Sequence, residues 1–371
     1  MPPRNSMTTT EIMGGLGNQL FQIFNLMAYS FRHNTALYFS EEPIKHGDRK
    51  TTYWSTPFLQ ALNYFVKKQP TITQNQEPLI YHERSFHYQA IPAPPPSTSE
   101  TKQIIKFFGY FQSYKYFEDQ QDIIYKFIRL RETQAYIREK TKQPQYGYDY
   151  ANTVALHFRV GDYKNLQNHH PLMTLEYYTE ALTRLLGGNP LQPPIMIKNQ
   201  FERCGQVQQT SHRVLYFCEQ ADQAYVQEKF LIPLQQNPLF QNKFTFQCID
   251  HNLSDWEQLI VMSLCRHHII ANSTFSWWGA YLGGNPPHPR LGQADASAVS
   301  DIGDQPPTTP IELTSDCIRL TDLQGGARGD TPLGVWGQSP QVYYPATWFG
   351  PAMGNKNLSD LFPIHWQRIN V

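Results

Sequence analysis

Short apolar segments alternate with helical segments along the second half of the sequence. Three such pairs follow one another: Arg213–Cys218 with Asp222–Leu231, Lys243–Ile249 with Ser254–Cys265, and His268–Ala271 with Thr274–Leu282. Strands that alternate with helices of this length predict βαβ units, in which helices cover a parallel sheet. We therefore expect this half of the chain to form a doubly wound α/β sheet.

A similar unit opens the chain. Residues Thr8–Met13 can form a strand, the turn Gly14–Gln19 follows, and apolar residues from about Asn18 to Arg32 recur with helical spacing. Strand, glycine-rich turn and helix begin a Rossmann-like unit, whose backbone amides and helix N-terminus can face an anion or a sugar. Leu20 stands where a dinucleotide fingerprint requires glycine, so a merely tight turn remains an alternative.

The length of 371 residues allows two domains, although an α/β barrel is also possible by length. We predict an α/β protein with two Rossmann-like, doubly wound domains that face each other across a cleft, residues 1–150 and 151–371. In the first domain we expect a strand over Ile104–Phe111 and a helix over Phe117–Leu130. The Gly- and Pro-rich segment of about 287–339 is expected to be an irregular insertion.

Composition narrows the classes of partner. Lys+Arg and Asp+Glu each number 31, and this balance argues against a nucleic acid or an anionic membrane as the main partner. The five cysteines are scattered, without a C-x-x-C pair, which favours a reduced, cytoplasmic chain. The first ten residues contain no apolar h-region and no run of 18 apolar residues occurs, so neither a signal peptide nor a membrane span is expected. Composition says nothing about the oligomeric state.

The segment Asn152–Tyr163 is the first candidate site. It alternates with a period of two, which sends His157 and Arg159 to the face opposite the apolar residues, and Gly161 then permits a turn. The carboxyl end of a strand is the mouth of the crevice in an open α/β sheet, so Asp162 should join that pair there. An arginine at this position suits phosphate oxygens, although a solvated strand end would look the same.

The segment Asn272–Trp278 is the second candidate site, at a junction between a strand and a helix. Ser273 or Thr274 can cap the helix, while the free amides and the helix dipole point into the crevice. Capping alone explains one hydroxyl. A bound diphosphate would explain three hydroxyls in five residues better.

Three segments together resemble the α-1,2-fucosyltransferases of glycosyltransferase family 11. They are Gly14–Gln22, His157–Tyr163, which is similar to the family's His-x-Arg-Arg-Gly-Asp-Tyr box, and Asn272–Ala280. The resemblance implies a GT-B fold and a metal-independent enzyme without a cofactor. It also implies that L-fucose passes from GDP-fucose to O2 of a terminal galactose in an oligosaccharide, with inversion at the fucose C1.

The resemblance also implies roles for individual residues. The first domain would bind the acceptor and the second would bind GDP-fucose, with Arg159 gripping the diphosphate. We predict Arg159, Asp162 and His157 as catalytic residues, and Gln19 and Gln112 as acceptor-binding residues. The predicted donor-binding residues are Gly15, Leu16, Gly17, Asn18, Arg159, Asn272, Ser273, Thr274 and Phe275. The base is left open between Asp162 and His157, and a carboxylate beside an arginine is the poorer base.

Two departures from the family pattern bear on function. Val160 replaces the second arginine of the box, and Gln258 stands where many relatives carry an acid. If that acid reads guanine, Glu257 or Asp255 must substitute. These departures support one alternative, a non-catalytic glycan-binding protein of the same fold. A transferase for another nucleotide sugar is a second alternative, and a nicotinamide-dependent dehydrogenase is a third that the incomplete glycine fingerprint disfavours.

Overall fold

The computed structural model describes residues 6–41, 51–67, 77–95, 103–187, 211–283, 340–354 and 356–371. All of these lie in one compact unit, formed by Met1–Gly284 together with Leu333–Val371. The insertion predicted at about 287–339 lies outside the described residues.

The first sheet is parallel and has four strands in the order β2-β1-β6-β5. Its strands are β1 (Ser6–Thr10), β2 (Ala36–Leu37), β5 (Leu79–His82) and β6 (Gln103–Phe108), while β3 (Phe39–Ser40) and β4 (Val66–Lys67) form a separate parallel pair. The first strand was predicted over Thr8–Met13, and it begins and ends earlier. Pairing stops because the backbone of Met13 bonds to the side chain of Gln22, at 2.8 and 3.0 Å, and not to a neighbouring strand.

Three α-helices belong to the described part of the first half: α1 (Leu16–His33), α2 (Gln121–Phe127) and α3 (Leu130–Lys140). The first matches its prediction within two residues and ends at Asn34, which is left-handed with φ 51°. The helix predicted over Phe117–Leu130 is shorter than expected, because a 3-10 turn at Glu118–Gln120 precedes α2, and α3 was not predicted. Arg129 is also left-handed, with φ 55°, so the chain turns there between α2 and α3.

The second sheet is parallel and has six strands in the order β12-β11-β10-β7-β8-β9. Its strands are β7 (Thr153–His157), β8 (His212–Phe217), β9 (Phe244–Cys248), β10 (His267–Ile269), β11 (Val342–Pro345) and β12 (Gln367–Ile369). The chain runs outward from β7 through β8 to β9 and then returns to the other side of β7. The gap between the carboxyl ends of β7 and β10 is thus a topological switch point, where ligands bind in open α/β sheets.

The helices of the second half follow the predicted βα alternation. They are α4 (Leu175–Leu185), α5 (Gln223–Val226), α6 (Ile232–Gln236), α7 (Asp255–Leu264) and α8 (Thr274–Leu282), with a π-helical turn at Gln227–Leu231. Ser254 and Glu257 form a capping box at the start of α7. Two parallel sheets with helices confirm the α/β class and the Rossmann-like, GT-B-like arrangement, whereas the domain boundary at residue 150 stays a prediction.

One aromatic core joins α1 to α8. Phe21 and Phe24 of α1 pack against Trp278 with ring centroids 5.0 and 4.5 Å apart, and Phe21 lies 4.5 Å from Trp277. All four side chains are fully buried. Because this packing fixes the two helices against each other, it also fixes the relative position of their N-termini. No helix in the described part of the chain has the length and apolar character needed to span a membrane.

Candidate active site

A cavity of about 850 Å³ opens at the carboxyl ends of the strands, within the size range of small-molecule sites. Both sheets contribute to its wall. Nearly all of the residues predicted to form the site line it, namely Gly15, Leu16, Gly17, Asn18, Gln112, His157, Arg159, Asp162, Asn272, Ser273, Thr274 and Phe275. The two sequence segments that flank the switch point therefore meet in one place, while the roles predicted for their residues stay predictions.

Arg159 follows β7 and holds two carboxylates. Its Nη2 donates to Oδ1 of Asp162 and its Nη1 donates to Oε1 of Glu219, each at 2.5 Å. The guanidinium carbon lies 4.9 Å from the ring centroid of Tyr163. The side chain is only 20% exposed, so the guanidinium is fixed at the cavity wall rather than extended into solvent.

Glu219 is a site residue that sequence reasoning missed. It lies just beyond the end of β8, which is the neighbour of β7, and it lines the cavity. A glutamate after a strand is ordinarily a solvated end, and only the pairing of β7 with β8 brings it to Arg159. The feature that could have identified Glu219 as a site residue is its position at the carboxyl end of a strand.

The described cavity wall carries more negative than positive side chains. Asp162, Glu219 and Asp255 are acidic. Arg159 is the one arginine or lysine among the described lining residues, so the formal charge of the wall is −2 when the histidines are neutral. An anionic ligand is thus favoured at this wall only where Arg159 and backbone amides face it. The two carboxylates take two of the five N–H donors of Arg159, so a diphosphate can bind the remaining donors or replace one of the carboxylates.

His157 lies at the end of β7 and is 7% exposed. Burial, together with the nearby positive charge of Arg159, lowers the pKa of His157 from 6.5 to about 3. Its Nδ1 has no hydrogen-bond partner among the described residues, and its ring lies 5.8 Å from that of Phe275. The imidazole is therefore neutral at physiological pH, and its low pKa makes it a weak base.

The N-termini of α1 and α8 meet at the cavity. Ser273 caps α8 by accepting the N–H of Phe275 at 3.3 Å. A Cβ at Gly17 would lie 2.5 Å from the backbone carbon of Thr274, so only glycine permits this approach. The positive ends of two helix dipoles consequently point at the same space.

The loop after β7 is held by Asp222, another residue that the sequence analysis missed. This buried carboxylate accepts the N–H of Gly161 at 2.6 Å and the ammonium of Lys164 at 2.8 Å. Gly161 has φ 25°, and a Cβ there would press on the carboxylate of Glu219 at 3.2 Å. Asp222 therefore positions the loop that carries Arg159 and Asp162.

Two of the predicted site residues, Gln112 and Asn272, bond to other parts of the protein. Gln112 donates through Nε2 to Oδ1 of Asn18 at 3.1 Å, across the cavity wall. Asn272 donates through Nδ2 to the carbonyls of Pro171 and Trp348, at 2.9 and 3.2 Å. In this state both amides support the wall itself.

The acceptor-binding role predicted for Gln19 does not fit its position and needs correction. Its side chain is fully buried and is absent from the residues that line the cavity. Its Nε2 donates to the carbonyls of Gly14 and Thr51, at 2.9 and 2.8 Å. The glutamine supports the glycine turn from behind, because the helical spacing of α1 points it away from the cavity.

The structure distinguishes the two acids that were considered as substitutes near Gln258. Asp255 lines the cavity beside Gln258 and accepts the hydroxyl of Tyr53. Glu257 is buried, bonded to Lys140 at 2.5 Å and to the backbone of Ser254 at 2.8 Å. Only Asp255 of this pair is placed to meet a ligand.

Val160 lies in the hydrophobic core of the second sheet and is 3% exposed. An arginine with the same backbone direction would have to bury its charge or leave the core. The change from arginine in the family box to valine is therefore a change in packing as well as in charge.

Comparisons with known proteins show similarity to glycosyltransferases, and the family model covers one of the three segments, Asn272–Ala280. The model of glycosyl transferase family 11 matches residues 238–287. The chain is 25% identical over 294 residues to an alpha-1,2-colitosyltransferase of Escherichia coli, covering 75% of this chain and 88% of that protein. It is 23% identical over 184 residues to the O-antigen biosynthesis glycosyltransferase WbnK of Escherichia coli, covering 47% of this chain and 49% of that one.

Solved structures of fucosyltransferases are distantly similar. A mutant of Arabidopsis thaliana FUT1 in complex with GDP has a TM-score of 0.39 at 11% identity, covering 75% of this chain and 69% of its own. Fucosyltransferase NodZ from Bradyrhizobium has a TM-score of 0.37 at 14% identity, covering 76% and 93%. Likenesses this distant show no more than a related fold. The family model, the Escherichia coli relative and the segments that meet at the cavity together support the conclusion that the chain is a glycosyltransferase similar to those of family 11.

Proposed function

We propose that this glycosyltransferase moves L-fucose from GDP-fucose to O2 of a terminal galactose in an oligosaccharide, with inversion at the fucose C1 and without a metal in the transfer step. The observation that carries the proposal is the convergence of Arg159 with the N-termini of α1 and α8 on one cavity. A guanidinium and two helix dipoles are suited to the two phosphates of a nucleoside diphosphate.

Stabilisation of the leaving group would be the main catalytic effect. As the bond between fucose C1 and the phosphate oxygen breaks, negative charge grows on the diphosphate. Arg159 and the backbone amide of Thr274 would then interact more strongly than they did in the ground state. Because these groups are already fixed by packing and capping, little reorganisation is needed at that moment.

Binding of the donor would also release a base. Inversion requires that the acceptor hydroxyl lose its proton on the face opposite the diphosphate. Asp162 and Glu219 are both paired with Arg159, and a diphosphate that took the place of one of them would free that carboxylate. The displaced carboxylate can accept the proton, whereas the neutral His157 is too weak a base.

Two matched variants decide which carboxylate is the base. Asp162→Asn and Glu219→Gln each keep the shape of the side chain and remove the basic oxygen. We expect one of them to lower kcat by roughly a hundredfold or more while GDP still binds, and the other to change kcat less. Equal activity of both variants and the unchanged chain would exclude both residues as the base.

Asp255 is our proposed reader of guanine. A carboxylate can accept both the N1–H and the 2-amino hydrogens of guanine, and adenine offers no such pair. Asp255 lines the cavity together with Gln258, the position at which the family resemblance implies an acid. We expect Asp255→Asn to weaken GDP binding more than it weakens binding of inosine diphosphate, which lacks the 2-amino group.

The direct test combines calorimetry with GDP and transfer of radiolabelled fucose to lactose. We expect GDP binding, a fucosylated product and no loss of turnover when EDTA is added. Absence of GDP binding would overturn the proposal, and binding without transfer would favour a glycan-binding protein.

A second donor is favoured by one observation, the likeness to an alpha-1,2-colitosyltransferase. Colitose is L-fucose without the 3-hydroxyl group. A site that hydrogen-bonds this hydroxyl rejects the deoxy sugar strongly, whereas an apolar site does not. Competition between GDP-fucose and GDP-colitose for the same acceptor therefore decides between the two sugars.

A further inference from the structure

Two cysteines and a histidine converge at the carboxyl ends of β8 and β9. Cys218 directly follows β8, Cys248 ends β9, and His251 comes shortly after Cys248 in the chain. Tyr216 pairs with Cys248 in the sheet, so both strands end at the same edge. The two sulfurs and one imidazole nitrogen lie within 4.8 Å of one another.

Two thiolates and one imidazole form a donor set that Zn²⁺ binds well. In a tetrahedral site with ordinary Zn–S and Zn–N bond lengths, neighbouring ligand atoms are about 3.5 Å apart. The three side chains therefore need only small rotations to enclose an ion. Within the described ranges of the chain, no other group of three His, Cys, Asp or Glu side chains has this proximity.

His251 is already oriented. Its Nε2 lies 3.1 Å from the carbonyl oxygen of Cys218, and because a carbonyl only accepts, Nε2 carries the proton. In this tautomer Nδ1 is the ring nitrogen that can bind a metal. A hydrogen bond from the other ring nitrogen to a backbone carbonyl is typical of histidines that bind metals.

The cluster also borders open space. Cys218 and His251 line the cavity, and Cys248 is partly buried beneath them. A tetrahedral ion with three protein ligands would keep its fourth position for water or another small ligand. The family resemblance implies a metal-independent enzyme, and the scattered cysteines indicate only a reduced chain. The proximity of Cys218 and Cys248 depends on strand pairing, which a single sequence does not reveal.

We propose that Cys218, Cys248 and His251 form a binding site for a thiophilic divalent cation such as Zn²⁺, with a fourth coordination position open to the cavity. None of the three residues is assigned to fucose transfer, although Cys218 directly precedes Glu219 and lines the same cavity, and the proposed transfer does not require the metal. The proposal therefore stands or falls independently of the enzyme's substrate.

Cobalt gives a readout that does not involve activity. We would titrate Co²⁺ into the metal-free full chain in the presence of a phosphine reductant and record its absorption spectrum. We expect the intense visible bands of tetrahedral cobalt and a thiolate-to-cobalt charge-transfer band, saturating at one equivalent. Addition of Zn²⁺ should abolish both, since Zn²⁺ binds such sites more tightly.

Matched variants show which side chains bind the cobalt and give rise to the absorption bands. Cys218→Ser and Cys248→Ser should each remove the charge-transfer intensity of one thiolate and weaken cobalt binding by roughly tenfold or more, as should His251→Asn. Cys265→Ser and His170→Asn are the controls, because Cys265 bonds to Val261 in the core and His170 lines the cavity outside the cluster. Both should keep the wild-type spectrum.

A second measurement needs no variant. Zn²⁺ should protect Cys218 and Cys248 of the unchanged chain from alkylation, as read by mass spectrometry, while the labelling of Cys265 stays the same. The proposal is overturned if the unchanged chain shows no thiolate-to-cobalt band, if the three cluster variants keep it, or if Zn²⁺ leaves the alkylation of both cysteines unaltered.

Discussion

At the scale of single residues, Arg159 determines what the cavity can bind. Its guanidinium is the positive side chain that faces the described cavity wall, and two carboxylates hold it in place. Those carboxylates keep the arginine oriented before a ligand arrives, and they also compete with the ligand. Because the carboxylates orient Arg159 and can also be displaced from it, a cavity wall with an excess of acidic side chains can still bind an anionic donor.

Replacing Arg159 should abolish transfer without unfolding the protein. Loss of one fixed donor to a developing charge typically costs about 3 kcal/mol in the transition state, roughly a hundredfold in kcat/KM. We expect Arg159→Ala to lose at least this much, and Arg159→Lys to recover only part, because an ammonium lacks the planar fork. Steady-state kinetics and circular dichroism check both statements, and activity of Arg159→Ala within tenfold of the original would contradict them.

His157 makes the stability of the fold depend on pH. Its pKa is about 3 in the folded chain and 6.5 when exposed, so below pH 6.5 the unfolded chain binds a proton that the folded chain does not. The free energy of unfolding therefore falls as the pH drops from 6.5 toward 3, and above 6.5 this residue has no effect. Burial also lowers the pKa of His267 to about 3 and that of His268 to about 4, so both residues have the same effect on stability.

The substitution His157→Gln should remove the proton that the unfolded chain binds at this position below pH 6.5. We expect the loss of unfolding free energy between pH 7 and pH 5 to shrink by up to about 2 kcal/mol relative to the unchanged chain. Urea denaturation at the two pH values measures this difference. An identical loss in both proteins would show that His157 is protonated in the folded state.

At the scale of elements, the site is an arrangement of strand ends and helix starts. Arg159 follows β7, Ser273 precedes α8, and the adjacent positions of β7 and β10 bring the two together. Gly17 completes the arrangement by letting α1 approach the backbone of α8. The aromatic packing of Phe21 and Phe24 against α8 holds these helices in place.

A methyl group at Gly17 should separate the two helices. Because the added Cβ would meet backbone atoms of Thr274 at 2.5 Å, no side-chain rotation can relieve the contact. We expect Gly17→Ala to lower the free energy of unfolding by about 1–3 kcal/mol and to weaken GDP binding. Denaturation and calorimetry test the two effects, and an unchanged affinity would mean that the approach of the helices does not shape the nucleotide site.

Most of these elements could be predicted from local patterns, and most of the errors concern long-range contacts. The periodicity of two before Arg159 predicted β7, and the hydroxyls around Thr274 predicted a capped helix. Nothing local marks Arg129 as left-handed, so the break between α2 and α3 was missed. Glu219 and the Cys218–Cys248 pair depend on which strands are neighbours, and a single sequence does not reveal that pairing.

At the scale of the whole molecule, two parallel sheets contribute to one cavity. The first sheet supplies the glycine turn and Gln112, and the second supplies Arg159 and the start of α8. Each side chain taken alone has an ordinary explanation as a cap, a strand end or a core residue. Their common location at the switch point is the property that the proposed transfer needs.

A crystal structure with bound GDP tests this account most directly. We expect the diphosphate to accept hydrogen bonds from Arg159 and from the backbone amides at the start of α8, with Asp162 or Glu219 displaced from the guanidinium. A diphosphate bound elsewhere, with Arg159 still paired to both carboxylates, would contradict it.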